Sequence, residues 1–162
     1  MSQYDSSIHP KLQSSACGPV TAYVLLNYMQ PDTYSYQVNE LYKLLGGTRI
    51  GLFTGRFLRK MRRLLGPTWC ISKCNVHDAI KQIDEGRPVA LKYDRYFAFR
   101  RKGTFTFSYH WVPCIGYEKV KDEIFLFIHD NGGRNRESVI RRVSYQENAP
   151  ILTFVKFVPP AS

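Results

Sequence analysis

Cys17, His110 and Asp130 are the residues whose types and order in this chain suit covalent catalysis. A thiolate is a strong nucleophile, an imidazole can take up and return a proton, and a carboxylate can hold that imidazole in one orientation. Cys17 lies in Ser15-Ala16-Cys17-Gly18-Pro19-Val20-Thr21, where a polar loop passes into the mostly apolar run Ala22 to Met29. The run reads as a buried helix, with Ser15 as its N-cap. A thiol at a helix start meets the positive end of the backbone dipole and unpaired N–H groups, an environment that favours the thiolate.

Chemistry at Cys17 needs a base, and the sequence offers His9, His77, His110 and His129. His9 precedes Pro10 in a loop, and His77 opens a helix in a polar cluster. His110 stands on a long strand between Tyr109 and Trp111, where an imidazole is held rigidly and partly desolvated. Asp130 ends the next strand, one hairpin away, so it can lie beside His110 and accept the ring N–H turned away from sulfur. Asn131 is the alternative, since an amide oxygen can play the same part. Each residue alone has an ordinary structural explanation: a buried thiol, a core histidine, an Asp-Asn-Gly-Gly turn. Their joint order is what points to a thiol hydrolase or acyltransferase.

The elements that must position these groups divide into two halves. Helices are expected over the Cys17 run, over Ser35–Leu45 ended by Gly46-Gly47, and over Thr54–Leu65 closed by Gly66-Pro67. A short strand over Thr68–Cys74 leads to a helix over Asn75–Glu85, capped by Asn75 and stopped at Gly86. Strands follow at Pro88–Tyr93, at Thr104–Trp111 continuing to Tyr117, at Glu123–His129 and at Ile151–Val158. Helices first and an antiparallel sheet afterwards is the α+β pattern. No repeat, linker or low-complexity stretch interrupts the 162 residues, so residues 1–162 are expected to form a single domain. The loop Phe97–Gly103, with Arg100, Arg101 and Lys102, precedes the His110 strand and is expected to border the site.

Composition narrows the classes. The chain is 44% hydrophobic and 14% aromatic, which marks a globular protein with a real core. No apolar run approaches the ~20 residues of a membrane span, and the N-terminus lacks a signal core. Cys70, Cys74, His77 and Cys114 fit no common zinc spacing, so no metal or other cofactor is expected. The net charge is +10, and residues 41–77 hold Lys43, Arg49, Arg56, Arg59, Lys60, Arg62, Arg63 and Lys73 without one acid. On the Thr54–Leu65 helix, Phe57, Leu58, Met61, Leu64 and Leu65 form one face and the cations the other. That cationic face is either a solvated surface or a landing site for an acidic protein, a nucleic acid or an anionic surface, carried by Arg56, Arg59, Lys60 and Arg63.

With these residues in view, the sequence resembles the papain-like cysteine proteases, and among them the bacteriocin-processing peptidases that cut after a double glycine. The resemblance rests on Ser-Ala-Cys-Gly-Pro-Val-Thr before an apolar helix, on His110-Trp111-Val112-Pro113-Cys114-Ile115-Gly116-Tyr117, and on Phe127-Ile128-His129-Asp130. Ala79 to Ala90 also resembles the family's helix-to-strand step before the histidine. The resemblance implies Cys17 as nucleophile, His110 as base and then acid, and Asp130 as its orienter. It further implies an oxyanion hole made by the Cys17 N–H and an upstream glutamine. Gln13 is the candidate in the loop leading to Cys17, at a spacing shorter than the family's usual one. Specificity for glycine implies a narrow cleft.

The expected activity is therefore cysteine endopeptidase action on protein substrates, with Gly-Gly as the site the resemblance implies, in a bacterial effector or toxin domain acting inside a target cell. Such a domain is expected to be a monomer, cytoplasmic or delivered by a specialised secretion system, and restrained by an acidic immunity protein. The same triad can also deamidate glutamine or transfer an acyl group. A peptidoglycan amidase shares the Cys-then-His order, although Ala-Cys-Gly-Pro differs from the Asp-Cys-Ser-Gly usual there. A non-catalytic basic binding module is the reading from another class. Nucleic acid is the least favoured partner, because the basic stretch lacks interleaved aromatics for base stacking.

Overall fold

The computed structural model describes residues 1–100 and 102–161. Its elements run α1 (Pro10–Gln13), α2 (Cys17–Met29), α3 (Val38–Leu45), α4 (Thr54–Leu65), β1 (Cys70–Cys74), α5 (Val76–Asp84), β2 (Val89–Asp94), β3 (Tyr109–Val120), β4 (Glu123–Asp130), β5 (Val139–Ser144), α6 (Tyr145–Asn148), a 3₁₀ turn (Ala149–Ile151) and β6 (Leu152–Val158). The strands form one antiparallel sheet in the order β1-β6-β2-β3-β4-β5. No helix among the described residues is long and apolar enough to cross a membrane.

Strand alternation divides the core between the two faces of the sheet. Ala90, Trp111, Val155 and Phe157 turn one way and pack with Leu25 of α2, Leu41 of α3 and Phe57 of α4. Val89, Leu91, Val112, Cys114 and Phe154 turn the other way, against Val76, Ala79 and Ile80 of α5. Phe57 stacks on Trp111 with ring centroids 4.5 Å apart, which fixes α4 over the centre of the sheet. The apolar face predicted for α4 is thus the buried one.

Several local expectations are corrected. Ser15 does not cap α2: the N-cap is Ala16, and the Ser15 hydroxyl lies 2.8 Å from the Tyr42 hydroxyl and bonds the Leu12 carbonyl. Helix α3 begins at Val38 rather than Ser35, because Gln37 and Glu40 close a capping box there. Thr104–Ser108 is not strand. The Thr106 N–H donates to the Asn148 side chain instead of to a neighbouring strand, so β3 starts only at Tyr109. Strand β5 was not legible at all: its Val139, Ile140, Arg142 positions are exposed, and no alternation marks it.

Gly18 records how closely α2 approaches the segment before α4. A Cβ at Gly18 would sit 2.9 Å from Leu52 Cδ2 and 3.1 Å from Leu52 Cβ. Leu52 cannot yield easily, since its carbonyl accepts from Trp111 Nε1 at 3.0 Å and from the Tyr109 hydroxyl. Gly18→Ala is therefore expected to cost about 1–3 kcal/mol of stability, read as a shift of the urea midpoint at unchanged slope. A wild-type midpoint would show that the Leu52 segment is slack.

Candidate active site

The start of α2 and the start of β3 line one small open cleft of about 150 Å³, and the end of β4 bonds His110. Cys17 and His110 line it with Gln3, Ser14, Ser15, Arg49, Ile50, Gly51 and Tyr109. Cys17 is the first residue of α2, and the helix begins without a side-chain cap. Proline at position 19 has no N–H, so the free donors at this helix start are the backbone amides of Cys17 and Gly18.

His110 is buried, packed against the Phe107 ring, and its Nε2 lies 3.1 Å from Asp130 Oδ1. That contact leaves Nδ1 for the side of the ring that shares the cleft with the Cys17 thiol. Burial alone would lower the basicity of this imidazole. The hydrogen bond to Asp130 and the nearby Cys17 and Asp130 charges outweigh it and raise the pKa to about 9. The imidazolium therefore persists through the neutral range.

Asp130 is fully buried at the end of β4. Besides His110 it accepts from the Gly132 N–H at 3.2 Å, from Arg141 Nε at 2.6 Å and from Arg136 Nη1. Burial pushes the carboxyl up, but the bonds from His110, Arg136 and Arg141 hold it well below the ordinary carboxylate range. Asn131 has a different task. Its amide donates to the carbonyls of Cys17 (3.3 Å) and Trp111 (2.8 Å) and to Thr21 Oγ1 (3.2 Å), tying the end of β4 to α2 and β3. Of the two candidates beside the imidazole, only Asp130 touches it.

The cleft's outer wall is a short turn. Thr48 and Gly51 exchange backbone bonds of 3.1 and 2.9 Å, and the Tyr109 hydroxyl accepts from the Leu52 N–H at 2.8 Å. Gly51 has φ +111°, and a Cβ there would fall 2.2 Å from the Tyr109 hydroxyl oxygen. The turn is thus pinned against the residue preceding His110.

Gln13 is not brought into the cleft. Its amide donates to the carbonyls of Asp5 and Ile8, stapling the N-terminal loop. Gln3 stands in the cleft instead. Its N–H donates to the Asn131 carbonyl at 2.8 Å, its Nε2 to the Gln13 carbonyl, and its Oε1 is buried without a partner among the described residues. The signal for Gln3 was only that it is the other glutamine upstream of Cys17, far from it in the chain.

The other sequence candidates lie elsewhere. Arg56 donates to the Gly46 carbonyl at 2.9 Å and so closes the C-terminus of α3. Arg62 likewise donates to the Ile71 carbonyl. Arg59 and Arg63 stay exposed on α4, with Lys60 half-buried. Cys70, Cys74, His77 and Cys114 form no metal-binding group among the described residues. Arg101 lies outside the described residues; Phe97 and Ala98 line a separate hollow with Phe53, Lys92 and Asp94 rather than the Cys17 cleft.

A buried histidine and a thiol at a helix start thus share one cleft, in a fold of helices packed on an antiparallel sheet. The fold is similar to that of the peptidase domain of Streptococcus ComA, a bi-functional ABC transporter involved in a quorum-sensing pathway. The TM-score is 0.59 at 15% sequence identity, over 94% of each chain. The Peptidase_C39 like family matches residues 1–152, and the chain belongs to that family of cysteine peptidases. No curated protein matches the sequence.

Proposed function

We propose that the chain is a cysteine endopeptidase working through Cys17, His110 and Asp130, with cleavage after a glycine pair. The observation that carries this reading is that Cys17 and His110 line one cleft while the His110 ring bonds the buried Asp130 carboxylate. The Cys17 thiolate attacks the peptide carbonyl carbon, and the carbonyl oxygen becomes an oxyanion. The His110 imidazolium gives its proton to the departing amine as the C–N bond breaks, leaving a thioester on Cys17. Neutral His110 then takes a proton from water, whose oxygen attacks the thioester, and the thiolate leaves with the acid released. Asp130 fixes the ring orientation and favours its charged form.

The oxyanion donors in this reading are the Cys17 N–H and the Gln3 amide. The Gln3 Nε2 spends one proton on the Gln13 carbonyl and keeps a second for the cleft. Gln3→Ala is expected to lower kcat by about 10²–10³-fold, as loss of one such donor does, while leaving Cys17 alkylation intact. Gln13→Ala should change kcat little. The reverse ranking would return the role to Gln13.

The small cleft and the pinned Thr48–Gly51 turn support a preference for residues without side chains. Peptides carrying Gly-Gly and their Gly-Ala and Ala-Gly counterparts, digested and read by mass spectrometry, test this. Cleavage of the first alone is expected; a mass shift without cleavage would mean deamidation or acyl transfer instead. The charge of +10 supports the further reading of an effector or toxin domain acting in a target cell and neutralised by an acidic immunity protein, with Arg59 and Arg63 as contacts.

A further inference from the structure

The connection from β2 to β3 carries an aromatic tip that neither the fold nor the proposed chemistry uses. After Asp94 the chain turns tightly: Ala98 N–H bonds the Asp94 carbonyl (3.3 Å), Phe99 N–H the Tyr96 carbonyl (3.2 Å), and Arg100 N–H the Arg95 carbonyl (3.0 Å). The Phe97 N–H donates to Asp94 Oδ1 at 2.9 Å. This ordered turn faces its rings outward. Tyr96 is 68%, Phe97 71% and Phe99 88% exposed. Phe99 is also held at φ +53°, a left-handed conformation that is costly for an aromatic residue. Phe97 meets the Phe53 ring edge to face at 6.3 Å, but core packing explains neither Tyr96 nor Phe99.

The surroundings are cationic. No acid occurs between Arg95 and Tyr117. Asp94, at the root, is already occupied by Lys92 Nζ at 3.0 Å. At the tip, Arg95, Arg100, Tyr96 and Phe99 surround an open hollow of about 480 Å³. Arg95 Nε donates to the Arg100 carbonyl at 3.2 Å and its guanidinium lies over the Phe105 ring, so the Arg100 guanidinium beside Tyr96 and Phe99 is the group suited to a phosphate with hydrocarbon next to it. Rings this exposed suit insertion at a headgroup layer, where aromatic residues gather and basic residues meet anionic lipid. An acidic protein would satisfy the cations but leave such projecting rings without a matching socket.

We propose that the Arg95–Arg100 tip is an interfacial anchor for an anionic bilayer, with the hollow receiving the lipid phosphate. The tip rises from the same end of the sheet as the catalytic cleft. Asp94 pairs with Tyr109, and Tyr93 pairs with His110. Docking there holds the Cys17 cleft close to the membrane plane and favours substrates tethered to it. The anchor does not depend on the catalytic reading.

Co-sedimentation with vesicles of phosphatidylcholine alone, or mixed with phosphatidylglycerol, tests the anchor. Wild type is expected to partition onto the mixed vesicles only, less so as salt is raised. Phe97→Ser with Phe99→Ser should weaken this by about tenfold or more, with Cys17 alkylation unchanged as the sign of an intact fold. Arg59→Gln with Arg63→Gln should retain it. In Phe99→Trp, the new indole emission should shift to the blue on mixed vesicles and be quenched by brominated lipid. No partitioning, partitioning indifferent to the rings, loss in the α4 variant instead, or an unquenched indole would each overturn the proposal. Retention on polyglutamate without vesicle binding would assign the tip to an acidic protein.

Discussion

His110→Ala will slow alkylation of Cys17 at pH 6 by about tenfold or more and peptide cleavage by about 10³–10⁴-fold. The first effect is electrostatic. In the wild type the ring beside Cys17 is an imidazolium up to about pH 9, so a positive charge faces the sulfur throughout the neutral range. Alanine removes that charge and leaves only the helix start. In the proposed mechanism the second effect adds the loss of the group that protonates the departing amine. The pH dependence follows the same group. Its folded pKa lies above the ordinary 6.5, so its contribution to stability is complete below about pH 6.5 and disappears as pH rises through about 9. Cleavage should fall over the same upper window, as the imidazolium is lost. Iodoacetamide labelling followed by mass spectrometry across pH 5–10 would decide the matter. Equal rates in the two proteins would sink the catalytic reading of Cys17.

The convergence of Cys17, His110 and Asp130 was legible because local rules sufficed for it. Cys17 sits where a polar loop meets an apolar run, and His110 and Asp130 are separated by a single hairpin, so pairing of β3 with β4 follows from the chain itself. Helices α4 and α5 were legible for a similar reason. Their apolar spacing, the Gly66 and Gly86 stops and the Asn75 cap are all written within a few residues. What escaped was set by contacts between distant segments. Gln3 reaches the cleft only because its backbone bonds Asn131, and nothing in residues 1–17 signals that partner. The Phe105–Phe107 alternation imitates a strand, yet Asn148 captures the backbone there. Strand β5 carries Arg141 to Asp130 on an exposed edge, where burial leaves no periodic trace.

Asp130→Asn will lower stability by about 2–3 kcal/mol and carry the upper limb of the pH–activity profile below pH 9. The substitution keeps the shape and removes the charge, and three cations lose it at once: the His110 ring, Arg136 and Arg141. Breaking a fully buried pair costs about 3–5 kcal/mol. Here the two guanidinium groups are 41% and 38% exposed, and water screens them once the carboxylate is gone, which brings the cost down. The arginines bond Oδ2 and leave Oδ1 to the imidazole, so all three share one carboxylate charge. Their bonds keep Asp130 ionised in strongly acidic solution, so the imidazole retains a charged partner wherever the peptidase is folded. Because the carboxyl is depressed in the folded state, its contribution is present above the unfolded value of 3.8 and is lost only as pH falls through the lower folded one. Urea titrations of wild type and variant should therefore stay apart from pH 7 down to about pH 4 and converge only in stronger acid. Convergence already near pH 5 would mean that the arginines do not hold the carboxylate. An unmoved activity limb would mean that Asp130 orients the ring without setting its charge.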